Sequence, residues 1–160
     1  MILFHAGRQA VKVRWLWVLS LMTTVLLAGA ALYFLAQAGP GPAEGPDRRR
    51  AHLFAILAAI GGAVCSGLAV YVRTYVTRIV LEGDGKAILI STLGWVGERT
   101  TRLDPSCVEE GGFHQWRTRT VDAPWWTLWV RGRYLPLIVD AQGDIPDLPR
   151  LLKVLGTLER

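Results

Sequence analysis

The side chains able to ligate a metal or act as nucleophiles are few: three histidines, His5, His52 and His114, and two cysteines, Cys65 and Cys107. Zinc sites and catalytic dyads draw on closely spaced partners, such as two cysteines two residues apart or two histidines one helical turn apart. These five residues are too dispersed in sequence for that. His52 stands at the entrance of an apolar block, where a haem ligand or a residue among lipid headgroups would both fit. Cys107 has no neighbour that would activate it for nucleophilic attack or complete a zinc site. Glu109-Glu110 forms an adjacent carboxylate pair before Gly111-Gly112, in a stretch that reads as a mobile, solvated loop. Gly83 and Gly85 fall between two strand-like runs, not between a strand and a helix, so they do not match a phosphate cradle. None of these residues makes an enzyme, metal-site or cofactor-site signature, and no small-molecule substrate is expected.

Composition directs attention to the membrane instead. Of 160 residues, 51% are hydrophobic and 19% charged, and the apolar content is gathered into two blocks that a soluble core of this size does not need. The net charge of +5 comes from scattered lysines and arginines, many of which flank those blocks as at membrane helices, and no nucleic-acid-binding patch is expected. Two cysteines in such different surroundings predict no disulfide framework.

The first block, Trp15 to Ala38, carries no charge over 24 positions. At about 1.5 Å rise per residue it reaches about 36 Å, enough to span a bilayer with some tilt. It follows Arg8, Lys12 and Arg14 but is longer than a signal-peptide core of about 7–15 residues, so it reads as a retained anchor. Trp15, Trp17 and Tyr33 suit the interfacial aromatic belt. The second block, Ala51 to Val72, is also uncharged. Between them the Gly/Pro-rich residues 39–50 cannot extend either helix and read as an exposed turn. The expected organisation is a basic N-terminal segment (1–14), transmembrane helices at 15–38 and 51–72, and an extramembrane β-rich domain over 73–160.

Arg8, Lys12, Arg14, Arg73 and Arg78 stand on the terminal side of the hairpin, against Arg48, Arg49 and Arg50 in the loop. This bias places both termini on the positive side, the cytoplasm, stroma or mitochondrial matrix. The second helix has an unusual core: of the sixteen residues Ala55 to Val70, ten are Ala, Gly, Ser or Cys. In lipid, helices gain nothing from hydrophobic pairing and associate through close backbone approach, which small side chains permit. Ser20, Thr24, Ala28 and Ala31 make a matching stripe on the first helix. The small residues of the second helix extend round more than one side, however, and one neighbour needs only one face. Gly61, Gly62, Ser66 and Gly67 are therefore the candidate contacts with transmembrane helices of a larger protein complex.

From Tyr75 onward, short β-branched runs separated by turn residues indicate strands. Residues 75–81 and 86–92 flank Gly83-Asp84-Gly85, a hairpin signal; residues 97–103 suggest a third strand ending at Asp104-Pro105. Residues 125–130 and 134–140 flank Arg131-Gly132-Arg133, a second hairpin, with Pro136 at an edge or bulge. Asp147 could cap a terminal helix whose apolar face is Leu148, Leu151, Leu152, Leu155 and Leu158. Trp116, Trp125, Trp126 and Trp129 are four of the seven tryptophans. Alternation sends Trp126 and Leu128 into the core and Trp125 and Trp129 to the opposite face, against membrane lipid or a partner.

The chain resembles the transmembrane protein 223 family, which is related to transmembrane proteins 70 and 186. Leu3, Phe4 and Arg8 are similar to its opening motif, residues 78–92 to its hairpin entry, and Leu137, Asp140 and Gly143 to its later stretch of Leu, Asp and Gly. The resemblance covers nearly the whole chain. It implies an α+β membrane protein, a two-helix anchor followed by a pleckstrin-homology-like domain with a C-terminal amphipathic helix. It also implies location in the mitochondrial inner membrane and a part in assembling cytochrome c oxidase, with no catalytic residue to carry over. From these features the expected function is that of a non-enzymatic accessory subunit or assembly factor of an energy-converting complex. An accessory subunit of a photosynthetic complex, in a thylakoid or bacterial membrane, is the alternative. A membrane enzyme or haem protein using His52, His114 or Cys107 is a third.

Overall fold

A computed structural model describes residues 1–39, 45–83, 85–120 and 122–154, with the Glu110 side chain not described. The middle of the Gly/Pro loop, Asp84 of the first hairpin turn, and Leu155 and Leu158 of the expected terminal helix lie outside these residues. The chain divides into two units, residues 15–70 and, as one body, residues 1–14 with 71–160.

The first unit is a pair of helices. Helix α1 (Arg8–Gln37) and helix α2 (Pro46–Thr74) are each long and apolar enough to cross a membrane. Leu16, Leu19, Leu26, Leu32, Leu53, Ile56 and Ile60 are exposed along them, as lipid-facing residues would be. Phe34 and Phe54 stack at 5.5 Å with their planes 6° apart.

The second unit is a pair of antiparallel sheets. Strand β1 (Ile2–His5) pairs with β2 (Val76–Leu81), followed by β3 (Ile88–Leu93) and β4 (Glu98–Leu103), in the order β1-β2-β3-β4. Strands β5 (Val108–Arg117), β6 (Asp122–Val130) and β7 (Leu137–Asp140) form the second sheet in the order β5-β6-β7. Helix α3 (Leu148–Val154) closes the unit, with Asp147 accepting from the Arg150 backbone N–H at 3.1 Å. Such a cap satisfies an otherwise orphaned helix donor. The core is Leu3, Phe4, Val72, Tyr75, Val76, Ile79, Ile88, Ile90, Leu128, Leu137, Val139 and Leu151, all nearly inaccessible. The fold class is thus α+β, with two apolar helices, antiparallel sheets and a short terminal helix.

Two strands fall where the sequence suggested none. The N-terminal residues form β1, whose register slips between Ile2 and Phe4, so the consecutive Leu3 and Phe4 are both fully buried. The residues around Glu109-Glu110-Gly111-Gly112 are not a loop but the first half of β5. The ladder with β6 shifts between Glu109 and Gly112, and the glycines suit that bulge because they pass the backbone without a side chain.

Because β1 pairs with β2, the chain entering α1 and the chain leaving α2 share one sheet. A second seam holds them: His5 and Asp144 exchange backbone hydrogen bonds of 2.9 and 2.8 Å, and Gly143 lies under the Phe4 ring. The N-terminal motif around Leu3 and Phe4 and the motif through Asp140 and Gly143 are thus two halves of one packing site. Gly7, at a φ of 55°, makes the left-handed turn from β1 into α1 that glycine adopts without penalty.

Candidate interaction surface

Within the helical pair, the small residues of α2 divide between two directions. Gly61 turns toward α1: a Cβ built there would stand 2.8 Å from Thr24 Oγ1 and 3.6 Å from Thr24 Cβ. Thr24 donates to the Ser20 carbonyl at 2.8 Å, which satisfies its hydroxyl within its own helix and keeps the seam narrow. Ser20, Thr24, Ala28 and Ala31 of α1 are all partly covered, as are Phe54, Ala58, Gly61, Cys65 and Leu68 of α2. The spacing of that α2 set, alternately four and three, is the stripe of a closely packed helix pair.

The other small residues point elsewhere. Gly62 and Gly67 would each meet nothing within 4 Å of an added Cβ. Ser66 and Gly67 are exposed, with Ala59 and Ala63 beside them. The Ser66 hydroxyl donates back to the Gly62 carbonyl at 2.8 Å, so the face carries no unsatisfied hydroxyl into lipid. A second helix could approach this face as closely as α1 approaches Gly61.

In the sheet unit, β6 alternates as its pattern suggests. Trp126 and Leu128 are buried while Trp129 is 44% exposed. Trp125 is half-buried and stacks on His114 at 5.6 Å. It forms one wall of a cavity of about 410 Å³, whose other walls include Pro124, Ile138 and Asp140. Tyr75 donates to Asp140 Oδ2 at 3.1 Å, and the Gln142 backbone N–H donates to Asp140 Oδ1 at 2.9 Å. With both carboxylate oxygens engaged, Asp140 ties the start of β2 to β7, and a parallel bridge from Tyr75 to Ile138 runs beside it. Its geometry is that of a fastening, not of a free acid or base.

Burial first, then the charge of Asp140 and the hydrogen bond to it, pushes the Tyr75 hydroxyl pKa well above its ordinary value. The unfolded chain loses this proton from about pH 10, whereas the folded chain retains it. The Tyr75 contribution is fully present below that pH and declines above it, by about 1.4 kcal/mol per pH unit. Tyr75→Phe is expected to cost about 1–2 kcal/mol at neutral pH and to flatten that alkaline decline. Denaturant unfolding of the full chain in detergent, followed by tryptophan fluorescence at pH 7 to 11, measures both.

His5, His52 and His114 occupy β1, α2 and β5, and Cys65 and Cys107 are free thiols. Among the described residues, no three of His, Cys, Asp and Glu are grouped to hold a metal ion. What the fold displays is the small-residue face of α2 and the tryptophan-bearing strand β6. Residues 1–157 match the model of the TMEM70/TMEM186/TMEM223 protein family. The chain belongs to that family. No curated protein and no solved structure matches it. Membership and the two apolar helices make it a membrane protein of a family that serves the assembly of mitochondrial complexes in general. The seam joining β1 to residues 143–144 lies within the matched span, and sequence reasoning did not find it. The cue was the apolar Ile2-Leu3-Phe4 run ahead of the first charged residues.

Proposed function

We propose that this chain is a non-catalytic accessory subunit or assembly factor of a multisubunit respiratory complex of cytochrome c oxidase type. Its place is the mitochondrial inner membrane, with both termini in the matrix. The α1–α2 pair docks against transmembrane helices of the complex through Gly62, Ser66 and Gly67. Gly61 closes the pair internally, and Trp125 and Trp129 offer a partner or lipid surface at the sheet unit. Family membership supports the assembly role and the organelle, and the basic residues flanking the helices support the orientation.

The observation that carries this reading is the outward small-residue face left after α1 has taken Gly61. A lipid-facing helix of an isolated hairpin gains nothing from presenting glycine and serine, whereas one pressed against another helix does. Gentle detergent extraction, native electrophoresis and mass-spectrometric profiling provide the test. Oxidase subunits are expected to migrate with the chain at high mass; migration of the chain by itself would refute the proposal.

A further inference from the structure

A basic groove opens at one end of the sheet unit. Its volume is about 630 Å³, and its lining includes Arg73, Arg99, Arg133, Trp95, Val96 and Tyr134, with no carboxylate residue. Two hairpin tips build it. The Gly94 backbone N–H donates to the Gly97 carbonyl at 2.9 Å, and Gly97 takes a φ of 81°, so Trp95 and Val96 are presented at the tip of the β3–β4 turn. Gly132, with a φ of 83°, turns the chain after β6 toward Tyr134. Val96 is 98% and Tyr134 99% exposed, an arrangement that brings apolar and aromatic groups to the very limit of the fold.

We propose that this groove binds the phosphate headgroup of an anionic phospholipid from the membrane that the two helices cross. Chain connectivity places it at the bilayer surface. Arg73 directly follows the second uncharged stretch, and Arg14 directly precedes the first. Arg14 Nη2 donates to the Gly97 carbonyl at 2.8 Å, tying the Trp95–Val96 turn to the residue that enters the membrane. The Arg73 guanidinium lies over the Trp95 ring at 5.0 Å, an orientation that keeps its charge at the groove while the ring presents its apolar area. Exposed apolar tips beside arginines match an interface in which side chains enter the headgroup layer and guanidinium groups meet phosphate. An acidic protein segment would satisfy the arginines but would leave Val96 and Tyr134 in water.

The test uses the full chain in nanodiscs of phosphatidylcholine, with or without phosphatidylglycerol, and compares wild type with W95F to isolate the Trp95 signal. Brominated phosphatidylglycerol is expected to quench Trp95 more strongly than brominated phosphatidylcholine at the same mole fraction, and inorganic phosphate is expected not to reverse it. In parallel, native mass spectrometry of the detergent-extracted protein is expected to show retained phosphatidylglycerol. The triple variant R73Q/R99Q/R133Q should weaken that retention roughly a hundredfold, at about tenfold or less per arginine, whereas the triple lysine variant should keep most of it. Equal quenching by the two lipids in wild type, which depends on no variant's folding, would overturn the proposal. So would reversal by free phosphate, or retention that the three glutamines leave intact.

Discussion

Gly143→Val is expected to lower the stability of the sheet unit by about 3 kcal/mol, and Phe4→Ala by about 3–5 kcal/mol. A Cβ at Gly143 would run into the Phe4 ring and stand 3.0 Å from the His5 carbonyl oxygen. The ring could turn aside only by leaving a core position where it is fully buried. The carbonyl cannot move without straining the paired hydrogen bonds between His5 and Asp144. Overpacking against backbone has no inexpensive relief. Phe4→Ala makes the opposite error, a cavity beneath β1. Because the two sites share a contact, their effects should not add: Gly143→Val combined with Phe4→Leu should be less damaging than the sum of the single changes. Thermal or denaturant unfolding of the full chain in detergent measures the cycle.

These residues also mark what could be read from sequence and what could not. The two apolar stretches declare themselves, since a run without charge over a membrane's thickness has few other readings. Strands β2, β3 and β6 were legible because they carry their own evidence in β-branched content or in alternation such as Trp126 with Leu128. Strand β1 was not. Its four residues acquire strand character from pairing with β2, which the whole helical pair separates from it in sequence. Strand β5 was hidden for another reason: residues 112–117 are all exposed, so no buried face marks it, and Glu109 to Gly112 read as a solvated loop. Likewise, the arginines around the Gly94–Gly97 turn come from α2, β4 and the chain after β6. Their convergence is a product of the fold.

The same limit applied to the small residues of α2. Spacing identified them as a contact surface, but only the register of α1 against α2 separates Gly61, which meets Thr24, from Gly62 and Gly67, which meet nothing. Gly62→Leu with Ser66→Leu is therefore expected to leave the helical pair intact. No neighbouring atom obstructs Gly62, and Ser66 is exposed, its hydroxyl spent on its own helix. Against a docked partner helix, however, two leucines would hold the backbones apart. With about 1–3 kcal/mol per overpacked position, association should fall at least tenfold. Gly61→Leu should act differently, forcing α1 and α2 apart at Thr24 and destabilising the pair itself.

The most direct measurement is quantitative mass spectrometry of the proteins retained with the tagged full chain after mild solubilisation, comparing wild type, G62L/S66L and a control V64L, which adds bulk at an exposed residue on the side of α2 away from Gly62 and Ser66. Proposed contacts predict that G62L/S66L reaches the membrane at wild-type abundance while its oxidase-subunit partners drop at least tenfold, with V64L close to wild type. Retention of every partner at wild-type level by G62L/S66L would contradict the claim that this face of α2 is where the chain meets its complex.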